Sequence, residues 1–594
     1  MLKWVWGPVI LAIIQLNSGL AKELEVFDEL HIDESTHQIV DSKGCLRVFH
    51  GLNFVTKKTP WYPEKLLDEK YARDMGEWGL NVVRLGTMWS GVEPTEGVYD
   101  ETYLDKLEII IENFAKHGVW VLLDAHQDVA SEEFGTYDGF PSWLVDQLRE
   151  GVERKFPWPL AKVENWFCGY VTYEAGEVYH RFFQNHYNAV DKFANFWKHV
   201  ANRLKKHKNI IGYDLLNEPW PGNIYKDGSL LMPAEAGRKV LTPFYNKVIS
   251  SIREVDQKTL LFWEPVSWSH FGPQIKVPLV NNFVARVFNR YPTLTWLQGI
   301  SRACGALDLS ISDDDTEFCH GLKRSGRTNG RSELTDCISG ENLTSSSVES
   351  IFGSGIQESS FDQEIKHKLV MSWHYYFPLF VYQKENYDYI TTKVARDIFG
   401  PMVFSGVKNE IEEIGGGQFL SEFGLCKPDL DRPDHCGTQE CNYVFSKADE
   451  NSISWTYWDT SDDEILWDSQ GKPIQNIVKG MSRPYPRQLA GTNVKFSFDV
   501  EKKTFDIKFV AFKDGVSELY IPDRMGDNPS ILASEDLEYE FIKDKNSLII
   551  RVKTEPGVES WIKVGVEGEV LTQSREEGVW ASIMGQIGRL NPFG

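Results

Sequence analysis

Past Leu16 the chain has no apolar run long enough to span a bilayer, it contains no Cys-x-x-Cys pair, and cations are in short supply. Each absence excludes something. Lys and Arg number 63 against 86 Asp and Glu, a formal charge of −23. That balance argues against nucleic acid or an anionic membrane surface as a partner, because each phosphate contact needs a cation. Without paired cysteines or a nearby histidine at ligand spacing there is no zinc site to read, so the eight cysteines are expected as disulfides. They fall at 45, 168, 304, 319, 337, 426, 436 and 441, which predicts local pairing within 304–337 and within 426–441, with one member of each trio free or paired farther away. The segment Met1–Leu16, with Lys3 ahead of its apolar run and small residues from there to Ala21, reads as a secretory signal peptide cut near Ala21. The expected product is secreted or lumenal, monomeric and without stable membrane insertion, and Asn342-Leu-Thr344 is its one glycosylation sequon.

What is present is a repeating alternation of apolar strands and amphipathic helices, the pattern of a parallel sheet wrapped by helices. Eight strands are predicted: Arg47–Asn53, Asn81–Leu85, Val119–His126, Ile210–Glu218, Thr259–Val266, Lys368–Tyr376, Gly417–Gly424 and Ser452–Asp459. Helical spacing runs over Leu66–Trp78, Tyr103–His117, Asn188–Lys206 and Thr242–Val255. Eight such units predict an α/β fold, a (β/α)8 TIM barrel over 22–485, with its chemistry at the C-terminal strand ends. Three insertions interrupt it: the aromatic-rich Ser131–Glu174, expected to bring apolar surface to the rim, the Ser/Gly-rich Leu297–Gln363, and Cys426–Cys441. From 486 to 594 short alternating strands take over and predict a small antiparallel β-sandwich with no cluster of acids or histidines.

The strand ends carry the candidate residues. Asn217-Glu218-Pro219 closes the fourth strand and Glu422 the seventh. Two acids on facing strand tips suit glycoside hydrolysis, one protonating the leaving oxygen and the other attacking the anomeric carbon. Either motif alone is common and structurally innocent, and a lone Arg84, His126 or His374 is more often a satisfied core or surface residue. Their joint placement on one rim is what points to chemistry. An Arg84 contact and a Tyr376 hydroxyl are expected to hold Glu422 ionised.

These residues resemble glycoside hydrolase family 5 over about 40–480, and more narrowly its endoglycoceramidase group. The narrower likeness rests on His126-Gln-Asp128, Asp138-Gly-Phe-Pro-Ser-Trp143 and Lys57-Lys58 after the first strand. The resemblance implies a retaining glycosidase with Glu218 as acid/base and Glu422 as nucleophile. It further implies substrate contacts from Arg84, His126, Asp128, Asn217, His374, Tyr376, Trp458 and one of Lys57 and Lys58, with no metal and no cofactor. The implied substrate is a glycosphingolipid presented in a micelle or membrane and cut between oligosaccharide and ceramide. An exo-β-glucosidase on glucosylceramide or steryl glucoside, a polysaccharide endo-glycanase, and an inactive sugar- or lipid-binding barrel stay open.

Overall fold

The computed structural model describes residues 26–135, 138–163, 166–231, 233–266, 360–376, 400–458, 465–553 and 557–572, with 354, 356, 396 and 397. The expected signal peptide, the cysteines at 304, 319 and 337 and the sequon at Asn342 lie outside these residues.

Three short strands come first, β1 (Leu30–Asp33), β2 (Gln38–Asp41) and β3 (Leu46–Arg47). The next eight close into a parallel barrel: β4 (His50–Phe54), β5 (Val82–Gly86), β6 (Trp120–Asp124), β7 (Ile210–Asp214), β8 (Leu260–Trp263), β9 (Leu369–Tyr375), β10 (Gly417–Gly424) and β11 (Trp455–Trp458). Each faces packed side chains inside and helices outside, which is why their sequences are apolar almost without alternation. The helix Glu101–Lys116 illustrates the outer layer. Asp100 caps it by accepting from the amides of Thr102 and Tyr103, and Leu104, Leu107, Ile110, Ile111 and Phe114 are buried against the barrel. The helix ends at His117, just before Gly118 with its positive φ.

Two expectations need correction. Arg47 does not open the first barrel strand; it belongs to β3, which pairs with a C-terminal strand instead. The fourth strand ends at Asp214, not Glu218, because Leu215 turns its amide to the Phe262 carbonyl and Asn217 its amide to Ala125. Asn217 and Glu218 therefore sit beyond the ladder, on backbone held by neighbouring strands.

The lower barrel interior is apolar: Val82, Trp120, Ile211, Leu260, Phe262, Val370 and Phe419 meet there. The β1–β2 hairpin stops this end with Leu30, Ile32 and Ile39, whose burial is worth on the order of 5 kcal/mol as an upper figure. Gly212 leaves the space that the Phe262 ring fills, since a Cβ at Gly212 would stand 2.2 Å from it.

Eight strands follow the barrel: β12 (Tyr485–Leu489), β13 (Gly491–Asp499), β14 (Thr504–Ala511), β15 (Val516–Tyr520), β16 (Ser530–Ala533), β17 (Leu537–Ile542), β18 (Ser547–Val552) and β19 (Glu559–Gly565). They form two sheets, β13-β14-β19-β16 and a larger one in the order β1-β2-β3-β12-β15-β18-β17. The sandwich thus recruits the N-terminal strands that the pattern had assigned to the barrel. It docks through buried polar contacts: Arg483 Nη2 lies 2.7 Å from Asp449, and the Tyr485 hydroxyl donates to the Gly79 carbonyl at 2.7 Å. Among the described residues one local pairing is present, Cys426–Cys441, and Cys436 is free.

Insertion 131–174 departs from its expected role. Phe134 and Phe140 are buried in the core, while Trp143, Phe156 and Phe167 pack partly buried against it. Trp166, 43% exposed, remains as the one large exposed aromatic among the insertion's described residues. Among the described residues no helix is long and apolar enough to cross a membrane.

Candidate active site

Above the apolar plug the barrel interior turns polar, and Arg84 of β5 is its centre. The guanidinium is fully buried and reaches four carboxylates: Glu422 at 2.7 Å, Asp214 at 2.9 Å, Asp124 at 3.0 Å and Glu264 at 3.1 Å. It also donates to Asn217 Oδ1 at 2.9 Å and Asn53 Oδ1 at 3.2 Å. A rigid fork with five N–H groups can serve so many acceptors; an ammonium could not.

Glu422 reaches this centre through an irregularity in β10. The pairing register with β9 slips between Leu420 and Glu422, so Ser421 and Glu422 leave the simple in–out alternation. The Ser421 carbonyl accepts from Asn53 Nδ2 and Thr456 Oγ1, and its hydroxyl accepts from Ser372 at 2.6 Å. One Glu422 oxygen then faces Arg84, and the other accepts from the Tyr376 hydroxyl at 3.0 Å.

Glu218 is held differently. Its φ is +38°, a region that costs a non-glycine residue about 1–3 kcal/mol and persists only where neighbours impose it. Those neighbours are Gln127, whose Nε2 donates to the carbonyls of Asn217 and Glu218, and Glu264, which accepts the Glu218 amide at 2.8 Å. On the side chain, His374 Nδ1 lies 2.9 Å from Glu218 Oε1 and 3.5 Å from Glu422 Oε2. Single oxygens of Glu218 and Glu422 and a ring nitrogen of His374 all lie within 4.8 Å of one another.

A second cluster flanks the first. The His126 ring stacks on Trp458, centroids 5.2 Å apart, and its Nδ1 meets Asp124 at 2.8 Å. Lys57 forms an ion pair with Asp128, and its ammonium lies 4.8 Å from the Trp458 ring centroid and 5.6 Å from that of Trp166. The structure thereby separates the two early lysines: Lys57 faces the cluster, and Lys58 is exposed. All the other residues singled out from sequence, namely Arg84, His126, Asp128, Asn217, Glu218, His374, Tyr376, Glu422 and Trp458, converge here.

Five further residues join the site: Asp124, Gln127 and Asp138, which lie in or beside the sequence motifs without a role assigned to them, and Asp214 and Glu264, which the motifs do not include. Glu264 had a readable signal, since Glu264-Pro265 follows the apolar β8 much as Glu218-Pro219 follows β7. Asp214 and Asp124 lie inside apolar strands, where nothing but the barrel's closure tells which face they take.

Burial would drive the His126 imidazolium to lose its proton, but Asp124 and Asp128 reverse this and raise its pKa to about 10. His374 is raised in the same way, well above the ordinary histidine value, by Glu264 and Glu422 against burial. The carboxylates around both rings thus favour the cationic, donating form; the two trios Glu218–His374–Glu422 and His126–Asp128–Asp138 are compact, and an ion there would have to compete with that proton.

The carboxyls do not behave as expected. Burial raises Glu422 despite His374 and Arg84, so Arg84 does not by itself secure its charge. Burial also raises Asp214, and lifts Glu264 to about 7. This carboxyl-rich centre retains protons, and hydrogen bonding decides where they sit. Both Glu422 oxygens receive a donor, whereas Asp214 Oδ1 is buried with none. Asp214 is the better proton holder, leaving Glu422 as the anion.

Asp138 is lifted to about 7 by burial and then by Asp128, and Glu440, in the helix Cys436–Glu450 behind Tyr375, is lifted to about 7 by burial. An acid whose folded pKa is raised destabilises the fold as pH climbs from its unfolded value to its folded one. For Asp138, Glu264 and Glu440 that window runs from about 4 to about 7. His126, raised, contributes fully below 6.5 and loses its contribution towards 10. All four act in one direction, so thermal stability is expected to be higher at pH 5 than at pH 8. Glu440→Gln should narrow that difference by on the order of 1–3 kcal/mol. Paired thermal melts at the two pH values check this; an unchanged difference would remove Glu440 from the explanation.

Comparison with known proteins agrees with this geometry. Residues 40–298 match the cellulase (glycosyl hydrolase family 5) family, and 483–564 match the glycoside hydrolase family 5 C-terminal domain. The chain is 34% identical over 299 residues to an endoglycoceramidase of Cyanea nozakii, covering 46% of this chain and 59% of that protein. It is 33% identical over 286 residues to an endoglycoceramidase of Hydra vulgaris, covering 44% and 54%. The chain thus spans a little over half the length of these relatives. A solved endo-glycoceramidase II of Rhodococcus sp. in complex with ganglioside GM3 superposes with a TM-score of 0.61 at 19% identity, over 89% of this chain and 99% of that one. That likeness is one of fold. Both the barrel match and the C-terminal match carry the same assignment, and the chain belongs to glycoside hydrolase family 5.

Proposed function

We propose that the protein is an endoglycoceramidase, hydrolysing the β-glycosidic bond between an oligosaccharide and ceramide with retention of configuration. The observation that carries the reaction type is the approach of Glu218 and Glu422 oxygens to within 4.8 Å. Retaining enzymes hold their two carboxyls about 5–5.5 Å apart, while inverting ones leave room for a water at about 6.5–9.5 Å.

In this reading Glu422, receiving Arg84 and Tyr376, attacks the anomeric carbon. The proton for the leaving oxygen comes from the Glu218–His374 pair, whose 2.9 Å contact shares it between carboxyl and ring. Glycosylation turns Glu422 into a neutral ester. Glu218, now without its proton, takes one from water as the water oxygen attacks the anomeric carbon, the bond to Glu422 breaks, and Glu422 leaves as a carboxylate. Asn217, oriented by Arg84, is placed for the sugar 2-hydroxyl. Lys57, Asp128, His126 and Trp458 form a polar cluster with an aromatic floor that suits a second sugar.

The ceramide side rests on the named relatives. The aromatic insertion lends it little, because its rings mostly pack inward and Trp166 lies on the Lys57 side. The test is digestion of a disaccharide-headed glycosphingolipid with identification of the released sugar by mass. Intact disaccharide with free ceramide supports the reading, and a monosaccharide would favour an exo-acting glycosidase on the same fold.

A further inference from the structure

Glu264 stands one residue past β8 and is 3% exposed. Its Oε2 accepts the backbone amide of Glu218 at 2.8 Å. Its Oε1 lies 3.1 Å from Arg84 Nη2 and 3.3 Å from His374 Nε2. The opposite ring nitrogen of His374 is the one that touches Glu218 Oε1, at 2.9 Å. One carboxylate therefore holds Glu218 from both ends, at the left-handed backbone and, through the imidazole, at the side chain.

We propose that Glu264 is a positioning residue for the acid step, locking the Glu218 backbone and, by way of His374, the direction in which Glu218 presents its proton. It touches no reacting atom and acts through its two neighbours. The inference rests on the reading of Glu218 as the acid.

A glutamate is required for a stereochemical reason. Three groups converge on its two oxygens: the Glu218 amide donates to one, Arg84 donates to the other, and the His374 ring lies at ion-pair distance from that second oxygen. Glutamine has the same volume but one acceptor oxygen, so its NH2 must oppose either the Glu218 amide or the Arg84–His374 side. Either way one tether is lost. Aspartate keeps both acceptors at shorter reach. The Tyr245 hydroxyl, which donates to the Glu264 carbonyl at 2.6 Å, holds the backbone of residue 264 itself, so the side-chain exchange leaves that anchor in place.

In kcat/KM, which reports the first, glycosylation step, a displaced acid harms only substrates whose leaving group needs a proton, and a shift near 1 Å costs about 10²-fold. The experiment compares wild type, Glu264→Gln, Glu264→Asp and Glu218→Ala on phenyl β-lactoside, whose leaving group must be protonated, and on 2,4-dinitrophenyl β-lactoside, whose leaving group need not be. Rates are referred to the fraction of sites that forms a covalent 2-deoxy-2-fluoro-lactosyl adduct, so partial misfolding does not count as lost activity. Glu264→Gln is expected to lose about 100-fold in kcat/KM on the phenyl substrate and under about 5-fold on the dinitrophenyl one, with Glu264→Asp in between. If Glu264→Gln yields no folded protein, Glu264→Asp carries the test with a smaller split of the same sign. Equal losses on both substrates, or none, would overturn the inference and leave Glu264 as a structural partner of Arg84. A Glu218→Ala enzyme with no leaving-group split would instead overturn the assignment of the acid. A split in Glu218→Ala without one in Glu264→Gln or Glu264→Asp overturns the inference alone.

Discussion

Glu422→Gln is expected to abolish turnover, lowering kcat by at least about 10⁴-fold on natural and activated substrates alike. The amide has the shape of the carboxylate but no charge to attack with, so no leaving group, however good, can substitute for the lost bond-forming step. The fold should survive. Arg84 would exchange one carboxylate for a carbonyl oxygen at the same place and keep Asp214, Asp124 and Glu264, while the Tyr376 hydroxyl, which accepts as well as donates, would turn to accept from the new NH2. Steady-state kinetics together with a thermal melt checks both halves. Residual activity within 100-fold of wild type would mean that another group attacks the sugar.

Arg84→Met is expected to have the largest effect on the fold. The wild-type guanidinium neutralises a centre in which four carboxylates are within 3.1 Å of it and almost wholly out of water. Breaking one buried pair by removing a partner costs about 3–5 kcal/mol, because the remaining charge stays buried. Here His374 and His126 could absorb part of the loss, and protonation of Asp214 and Glu264 more of it. A fall in thermal midpoint on the order of 10 °C is expected, with little folded protein at neutral pH and partial recovery in acid. Arg84→Lys should fold better and still be nearly inactive, since an ammonium cannot serve Glu422, Asp214 and Asn217 in one plane. Melts of the two variants at pH 5 and pH 8 decide this. A methionine variant as stable as wild type at pH 8 would show that the carboxyls are already neutral and that Arg84 is not their counter-ion.

Much of this centre could be read before the structure, and the reason is local. Ile210–Leu216 and Gly417–Leu420 are apolar runs that lead into a glutamate, so strand, strand end and acid are all encoded within about ten residues. The same holds for the fold class, because eight such runs separated by helix-length periodic segments have one compact closure. Glu264 was equally local and passed over, although its Glu-Pro signature repeats that of Glu218-Pro219. Three things were not local at all. The register slip around Ser421 that aims Glu422 depends on side chains from β4, β9 and β11. The choice between Lys57 and Lys58 depends on where Asp128 and Trp458 lie across the barrel. The destination of the β1–β2 hairpin depends on a sheet completed more than 430 residues later, where β3 meets β12. The packed interior of insertion 131–174 belongs with these. Ten aromatics in 131–174 suggest a rim surface, and burial turns most of the described ones inward only once neighbours such as Glu93, Phe182 and Tyr179 are in place.

The proposed reaction cuts glycan from lipid by double displacement across Glu218 and Glu422. The digestion of a disaccharide-headed glycosphingolipid, followed by proton NMR at low conversion, tests it most directly. Free ceramide and the intact disaccharide are expected, the disaccharide appearing first as its β anomer and the α anomer growing in only by mutarotation. A monosaccharide as first product, or the α anomer ahead of the β, would contradict it.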